Sequence, residues 1–356
     1  MFRFLLCLLG ILLALPLILL ITFVFGTPIT SSGVAYLIGY LLVVAGLIAA
    51  PWLRKADATL TFSGLLIMIA VACMRLILAK NAEGSSDLKM IELPSGKATR
   101  WVNYLVDEQD SILFGEAAML RMGGVSSPEH ENIASALHSA YSEIKATHTV
   151  FPSPFASTYL GFQNLSAFDV VIIEPEQEAP TKAGVIFLHG YMGNVTSQCW
   201  RIAQAVQKLG MVTVCPSTNW TGDWWTPPGE AMLRATFRYL REQGIEKIYL
   251  GGFSNGGVGV SRLAPKLALE GAPGGLFLIA GSTNGVEIKK TGLPVLVIQG
   301  AQDTRMPAAA ARQFIAEVGA SATYVELESD HFLIMKQPAF VQEAITAWLT
   351  KLEGDK

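Results

Sequence analysis

Charge is scarce in the first eighty residues, where only Arg3, Arg54, Lys55, Asp57, Arg75 and Lys80 carry any. No basic run of five or more occurs and the formal net charge is −3, which excludes a chain built to neutralise a phosphate backbone, so nucleic acid is not expected as a partner. Four cysteines are too few and too scattered for a disulfide framework. Cys7 and Cys73 lie in apolar stretches, Cys199 and Cys215 further on, and all four read as buried thiols. His130, His138 and His148 lack an HExxH motif or a carboxylate at coordinating spacing, so they read as packing or surface residues. Neither a metal nor any other cofactor is expected. No small-x-small cleavage site follows the first apolar stretch, which therefore reads as a span rather than a cleaved signal.

What is present is apolar: 51% of the chain is hydrophobic and 15% charged. Phe4 to Phe25, Val34 to Leu53 and Leu60 to Ala79 each have about the twenty residues that cross ~30 Å of hydrocarbon as a helix. Residues 1–80 thus read as an anchor of three transmembrane helices, joined so tightly that they form an antiparallel cluster. An odd count places the termini on opposite sides of the membrane. Arg3, Arg54 and Lys55 favour a cytoplasmic N-terminus, while Arg75 and Lys80 pull the third span the other way; the balance favours an extracytoplasmic body. Arg75 lies about one turn from the end of its span and is expected to snorkel. The spans hold no acidic residue at mid-depth, so they read as an anchor and not as a transport path.

Residues 81–96 turn polar and Gly/Ser-rich and read as a linker. Residues 97–160 read as an accessory segment, a possible cover for a site, with a strand near Arg100 to Val106 and a helix from Pro128 to Ala146 capped by Ser127. Residues 161–356 change character. Seven short β-branched runs, FDVVIIE, GVIFLHG, MVTVCPS, KIYLGGF, GLFLIAG, PVLVIQG and TYVELES, alternate with helical stretches at Thr196 to Leu209, Glu230 to Gln243, Asn255 to Leu269, Ala308 to Val318 and Pro338 to Leu352. Such alternation predicts an α/β fold, a mostly parallel sheet with helices on both faces. Ligands of such sheets bind beyond the carboxyl ends of the strands.

The strand Lys247 to Leu250 runs into Gly251-Gly252-Phe253-Ser254-Asn255-Gly256-Gly257 and then a helix, the strand–turn–helix setting of a GxSxG nucleophile elbow. Ser254 is the candidate nucleophile. The helix after it aims amide dipoles at developing negative charge, making the backbone of Asn255 one oxyanion donor. The amide of Tyr191 or Met192, in the loop His189 to Asn194, is the second. His189 precedes the nucleophile and is expected to be structural. PVLVIQG leads to Asp303, the candidate acid, and the last strand leads to Ser329-Asp330-His331, with His331 the candidate base. Asp330 is the rival acid, but neighbouring side chains diverge, so it cannot easily brace the ring of His331.

At these residues the sequence resembles the α/β-hydrolase superfamily, over roughly Phe168 to Leu352. YLGGFSNGG, FLHGYMGN and VIQGAQDTRMP look most like its carboxylesterase, lysophospholipase and acyl-protein thioesterase group. The resemblance implies an α/β-hydrolase fold behind the three transmembrane helices, and cleavage of a lipid-like or small acyl ester through Ser254, His331 and Asp303 with an acyl-enzyme intermediate. Thioesters or peptides are the alternatives, and a membrane-tethered binding module without catalysis is another. Asn255 stands where that group often has glutamine, and SDHF replaces a glycine-rich approach to the histidine. About a dozen residues separate GLFLIAG from PVLVIQG, where many relatives insert a cap, so the core is expected to lack a lid. Trp220, Trp224 and Trp225 follow MVTVCPS and are candidates for an apolar wall that binds the acyl chain, or for packing beneath a loop. Asn164, Asn194 and Asn219 begin glycosylation sequons read as chance.

Overall fold

A computed structural model describes residues 1–24, 29–53, 55–82, 87–124, 127–175, 182–267, 271 and 273–354. Arg54 and the side chains of Lys80 and His130 lie outside that set. The chain divides into two compact units, Met1–Gly84 with Tyr104–His138, and Ser85–Asn103 with Ser139–Lys356.

The first unit contains α1 (Phe2–Val24), α2 (Ser31–Ala49), α3 (Ala56–Ala82) and α4 (Glu108–Arg121). The first three are long and apolar enough to cross a membrane. Their side chains turn outward at Leu8, Leu12, Leu15, Leu41, Phe62 and Ile69, as suits a lipid environment in which the helices satisfy their own backbone groups. Small residues set the α2–α3 packing: a Cβ on Gly64 would fall on the carbonyl of Gly39, so only glycine lets the two backbones come this close. Thr30 begins α2, its hydroxyl accepting the Gly33 amide at 3.2 Å.

Arg75 corrects the snorkelling expectation. It is buried, with Nε donating to the Tyr104 carbonyl at 2.7 Å and Nη2 to the Val106 carbonyl at 3.0 Å. Its Nη1 lies 3.4 Å from Asp107 Oδ2. A buried guanidinium needs such partners, and the segment that supplies them returns from thirty residues downstream in the sequence, beyond any local window. Beside it, Asp110 of α4 accepts both the amide and the hydroxyl of Thr30, at 2.8 and 2.6 Å. Cys7 is buried, but Cys73 is exposed rather than buried.

The second unit is built on one nine-stranded sheet: β1 (Leu88–Leu93), β2 (Lys97–Ala98), β3 (Phe168–Ile173), β4 (Ala183–Leu188), β5 (Val212–Pro216), β6 (Lys247–Phe253), β7 (Leu276–Ile279), β8 (Val295–Gly300) and β9 (Ala322–Leu327), in the order β2-β1-β3-β5-β4-β6-β7-β8-β9. From β5 to β9 all neighbours are parallel, while β1, β2 and β3 join antiparallel. Strands β3, β4, β5, β7 and β8 are buried at every residue, the pattern of a sheet covered on both faces. The residues alternating along them separate two layers. Val170, Ile186, Val214, Ile248, Leu278 and Val297 face α8 (Pro227–Glu242), α9 (Asn255–Leu267), α10 (Gly285–Thr291) and α11 (Ala308–Val318). On the other face lie α7 (Thr196–Val206) and the last helix, α13 (Pro338–Gly354), where Trp348 meets Tyr249 edge-on.

All seven strand runs read from the sequence form, and so do the four helices expected between them and the one after the last strand; the end of the third, beyond Leu267, lies outside the described residues. The short gap between β7 and β8 holds one helix, α10, of seven residues. The reading of residues 81–96 as a linker is corrected, because Leu88–Leu93 pairs along its whole length with β3, from Leu88 opposite Ile173 to Leu93 opposite Phe168. Residues 97–160 are not one accessory segment either. Their first part, to Asn103, and their last, from Ser139 within α5 (Ser127–Thr147), belong to the unit of the sheet, while 104–138 belong with the apolar helices. The strand expected at Arg100 to Val106 is a 3₁₀ turn over Trp101–Tyr104. Asp169 of β3, fully buried, draws these pieces in by accepting hydrogen bonds from Asn103 at 2.9 Å, from Gln163 at 2.8 Å and from Ser157.

Cys199 on α7 and Cys215 on β5 are joined as a disulfide, which corrects their reading as thiols. Packing of α7 on the sheet brings their Cα atoms to 6.1 Å, within bridging reach.

Candidate active site

Ser254 sits between β6 and α9 with φ of +54°, a left-handed conformation unusual for a side chain with a Cβ. The turn is tight because its neighbours permit no side chain. A Cβ on Gly252 would strike the backbone of Gly256, and one on Gly256 would strike the Leu188 carbonyl of β4. The Ser254 amide donates to the Ile279 carbonyl at 2.9 Å, pinning the elbow to the end of β7.

His331 follows β9 and is buried. Its Nε2 lies 2.9 Å from Ser254 Oγ and its Nδ1 2.8 Å from Asp303 Oδ2, so the three groups form one hydrogen-bonded chain. An ionised carboxylate only accepts, so Nδ1 carries the proton and Nε2 is left to accept from the serine hydroxyl. Asp303 is held by more than the histidine. Its Oδ1 accepts the amides of Arg305 and Met306 at 2.9 and 2.8 Å, and Oδ2 also accepts Gln299 Nε2 at 3.0 Å. Burial by itself raises the Asp303 pKa, but the bond to His331, the two amides and the histidine charge together outweigh it and hold the carboxyl below its ordinary value. Asp330, the rival acid, is turned away, with Oδ2 on Lys336 Nζ at 2.5 Å and Oδ1 on the Phe332 amide at 3.0 Å.

Gln299 was missed from the sequence. It is buried near the end of β8, bonded to Asp303 and to the Met306 carbonyl at 2.8 Å, and so braces the Asp303 carboxyl at Oδ2 while the amides hold Oδ1. An amide side chain inside the apolar run VLVIQG was the available signal, since a buried glutamine must find partners.

The loop after β4 comes up against the elbow. A Cβ on Gly190 would lie 3.0 Å from Ser254 Cβ, which puts the next residue, Tyr191, beside the nucleophile. Met192 is corrected as an alternative donor: its amide is already given to the Trp220 carbonyl at 2.7 Å. Of the three amides expected as oxyanion donors, those of Tyr191 and Asn255 stay candidates, and the Asn255 side chain donates to the Thr221 carbonyl at 2.8 Å. His189 is engaged elsewhere. Its Nδ1 donates to the Gly190 carbonyl at 2.7 Å and its Nε2 accepts the Thr218 amide at 3.1 Å.

Burial pushes the His189 pKa from 6.5 down to about 4, the Gly190 bond opposing only part of that. A folded state that refuses a proton the unfolded chain accepts loses stability as pH falls. The contribution is complete above pH 6.5, declines by about 1.4 kcal/mol per pH unit below it, and is gone near pH 4. Urea midpoints of the detergent-solubilised chain at pH 7.5 and 5.5 are expected to separate in that direction, and His189→Gln to narrow the gap. An equal gap in wild type and variant would show that His189 is not the cause.

Of the three tryptophans, Trp220 lies by the site, its ring edge-on to Tyr191 at 5.0 Å. Trp224 is corrected. It is 0% exposed in the core under the sheet, and its Nε1 donates to the His189 carbonyl at 2.9 Å, so it supports the loop and cannot line a wall for a ligand. Trp225 is half-buried, its ring under Arg262 at 5.0 Å, and it lines a shallow cleft with Pro227, Glu230 and Arg234. Asn194 is buried, its amide nitrogen donating to the Cys215 carbonyl and to Ser217, so that sequon is not open to a glycan.

A mostly parallel sheet, a serine elbow after one of its central strands, and an acid and a histidine after β8 and β9 define the α/β-hydrolase fold. No family model matches the chain, and no curated protein matches it. Solved structures that resemble it include an alpha-beta serine hydrolase homologue from Coxiella burnetii, at 20% identity over 51% of this chain and 92% of that one with a TM-score of 0.43. Est1E from Butyrivibrio proteoclasticus is similar at 15% identity over 53% and 95%, TM-score 0.46. XC6422 from Xanthomonas campestris, an a/b serine hydrolase without lid, is similar at 22% identity over 52% and 90%, TM-score 0.41.

Proposed function

We propose that this chain is a membrane-anchored serine hydrolase that cleaves carboxylic esters. The observation that carries the reading is the hydrogen-bonded chain from Ser254 through His331 to Asp303, with Ser254 raised on a left-handed elbow. In the proposed cycle Ser254 Oγ attacks the ester carbonyl carbon as its proton passes to His331 Nε2. The carbonyl oxygen takes the negative charge and is met by the Asn255 and Tyr191 amides at the N-terminus of α9 and in the loop after β4. His331 then gives its proton to the departing alkoxide, leaving an acyl-enzyme. Water enters, loses a proton to His331 and attacks the acyl carbon; the serine leaves with that proton and the acid is released. Asp303 balances the imidazolium and keeps its ring in one tautomer. The test is turnover of matched oxygen-ester and thioester substrates by the full chain in detergent. Preference for the ester supports the proposal, preference for the thioester moves it to thioesterase, and turnover of neither contradicts it.

The anchor is assigned to α1, α2 and α3, and the catalytic unit to the extracytoplasmic side. The charge balance of the short loops supports that orientation, and so does the Cys199–Cys215 disulfide, since such bonds persist in oxidising compartments. Maleimide-polyethylene glycol added to unfolded chain from membranes is expected to label the two free thiols, Cys7 and Cys73, and all four only after reduction. Labelling of all four without reductant would place the unit in a reducing compartment.

A further inference from the structure

Three large aromatic side chains stand open around the loop that approaches Ser254: Tyr159 is 42%, Tyr191 48% and Trp220 43% exposed. Scattered apolar residues on a surface are ordinary; here two of the rings touch each other and the third is tied to the same loop. Tyr191 and Trp220 meet edge to face at 5.0 Å. The Trp220 carbonyl holds the Met192 amide, and the Met192 carbonyl accepts the Tyr159 hydroxyl at 3.2 Å. Tyr159 ends α6 (Phe155–Tyr159), its ring stacked on Phe155 at 4.4 Å, and Thr158 packs so closely on Gly193 that an added Cβ there would come within 3.1 Å. Three separate stretches of chain thus place rings at one rim, next to the residue whose neighbour Gly190 touches the nucleophile.

Resting on the serine-esterase reading, we infer that Tyr159, Tyr191 and Trp220 form the specificity-determining rim of the site and bind a long apolar group of the substrate ester. The rings are anchored by the loop's own hydrogen bonds and ring contacts, so a chain of several carbons laid against them loses water without having to order them first. A two-carbon acyl group has little apolar surface to lay against the rings. The rim therefore sorts esters by apolar length, whereas the Ser254 chain of hydrogen bonds acts on the ester bond itself.

The experiment compares the full chain in detergent with Tyr159→Ala, Trp220→Ala and Tyr159→Phe. Each is assayed for kcat/KM on p-nitrophenyl octanoate against acetate, and on octyl against ethyl acetate. Ratios of kcat/KM cancel any difference in the amount of folded enzyme. In the alanine variants the long-to-short ratio is expected to fall about tenfold, equivalent to lost contact with about two methylenes, in the first pair if the rim holds the acyl chain and in the second if it holds the alcohol. Tyr159→Phe keeps the ring and is expected to keep the wild-type ratio. Unchanged ratios in both alanine variants overturn the rim, and so does an equal fall in Tyr159→Phe, which would trace the effect to the hydroxyl. Wild type that hydrolyses none of the four esters overturns the esterase reading itself, a failure distinct from active enzyme with unchanged ratios.

Discussion

Ser254→Ala is expected to lower kcat for ester hydrolysis by about 10⁶-fold while the chain stays folded, the scale seen when a serine nucleophile is removed from a cooperating set. The size follows from covalency. Without Oγ there is no acyl-enzyme, and what remains is polarisation of the carbonyl by the Asn255 and Tyr191 amides. Alanine should also fit the elbow no worse than serine, since the strain at φ +54° belongs to the backbone and both residues carry the same Cβ. Loss of turnover with an unchanged urea midpoint is the expected pair of results; a fall of less than tenfold would show that another group attacks the ester.

Asp303→Asn is expected to cost about 10⁴-fold in kcat, and the surroundings of Asp303 say why. The amides of Arg305 and Met306 both point at Oδ1, so asparagine must set its carbonyl there and turn its NH₂ towards His331 and Gln299. A donor facing Nδ1 drives the ring proton to Nε2, and Nε2 can then no longer accept from Ser254. Because the hydrogen bonds of Asp303 hold its carboxyl below the ordinary range, the wild-type acid is ionised through neutral and mildly acidic pH, and its own protonation is not what first limits activity as pH falls. Pairing Asp303→Asn with Gln299→Leu, which removes the competing donor but leaves the two amides, is expected to recover little. Recovery to near wild-type turnover would show that the tautomer argument is wrong.

The parts of this molecule legible in the sequence are those in which local pattern and tertiary role coincide. Strands β3 to β8 are short apolar runs because both faces are covered, and glycines at 252 and 256 announce an elbow because any side chain there would strike neighbouring backbone. Asp303 and His331, which the structure joins by a hydrogen bond, stood out because they follow strand ends, where such sheets bind their ligands. Other features depend on partners distant along the chain. Leu88–Leu93 is hidden between Gly/Ser-rich and Pro-Ser-Gly flanks, and only its pairing with Phe168–Ile173 makes it a strand. Arg75 reads as a charge near a span's end until Tyr104 to Asp107 returns to receive it. Cys199 and Cys215 show no pairing signal in their spacing, and the bridge exists because α7 packs on β5. Trp224 and Trp225 sit next to each other in sequence and near Trp220, yet Trp224 turns into the core and Trp225 under Arg262. Proximity along a loop does not decide which rings face a ligand.

The most direct test of the central claim is covalent. A fluorophosphonate probe applied to membranes containing the full chain, followed by peptide mapping, is predicted to place the phosphonate on Ser254 alone, with labelling lost in Ser254→Ala and in His331→Ala. Folded wild-type chain that takes up no probe, or takes it up on a serine other than Ser254, would contradict the account.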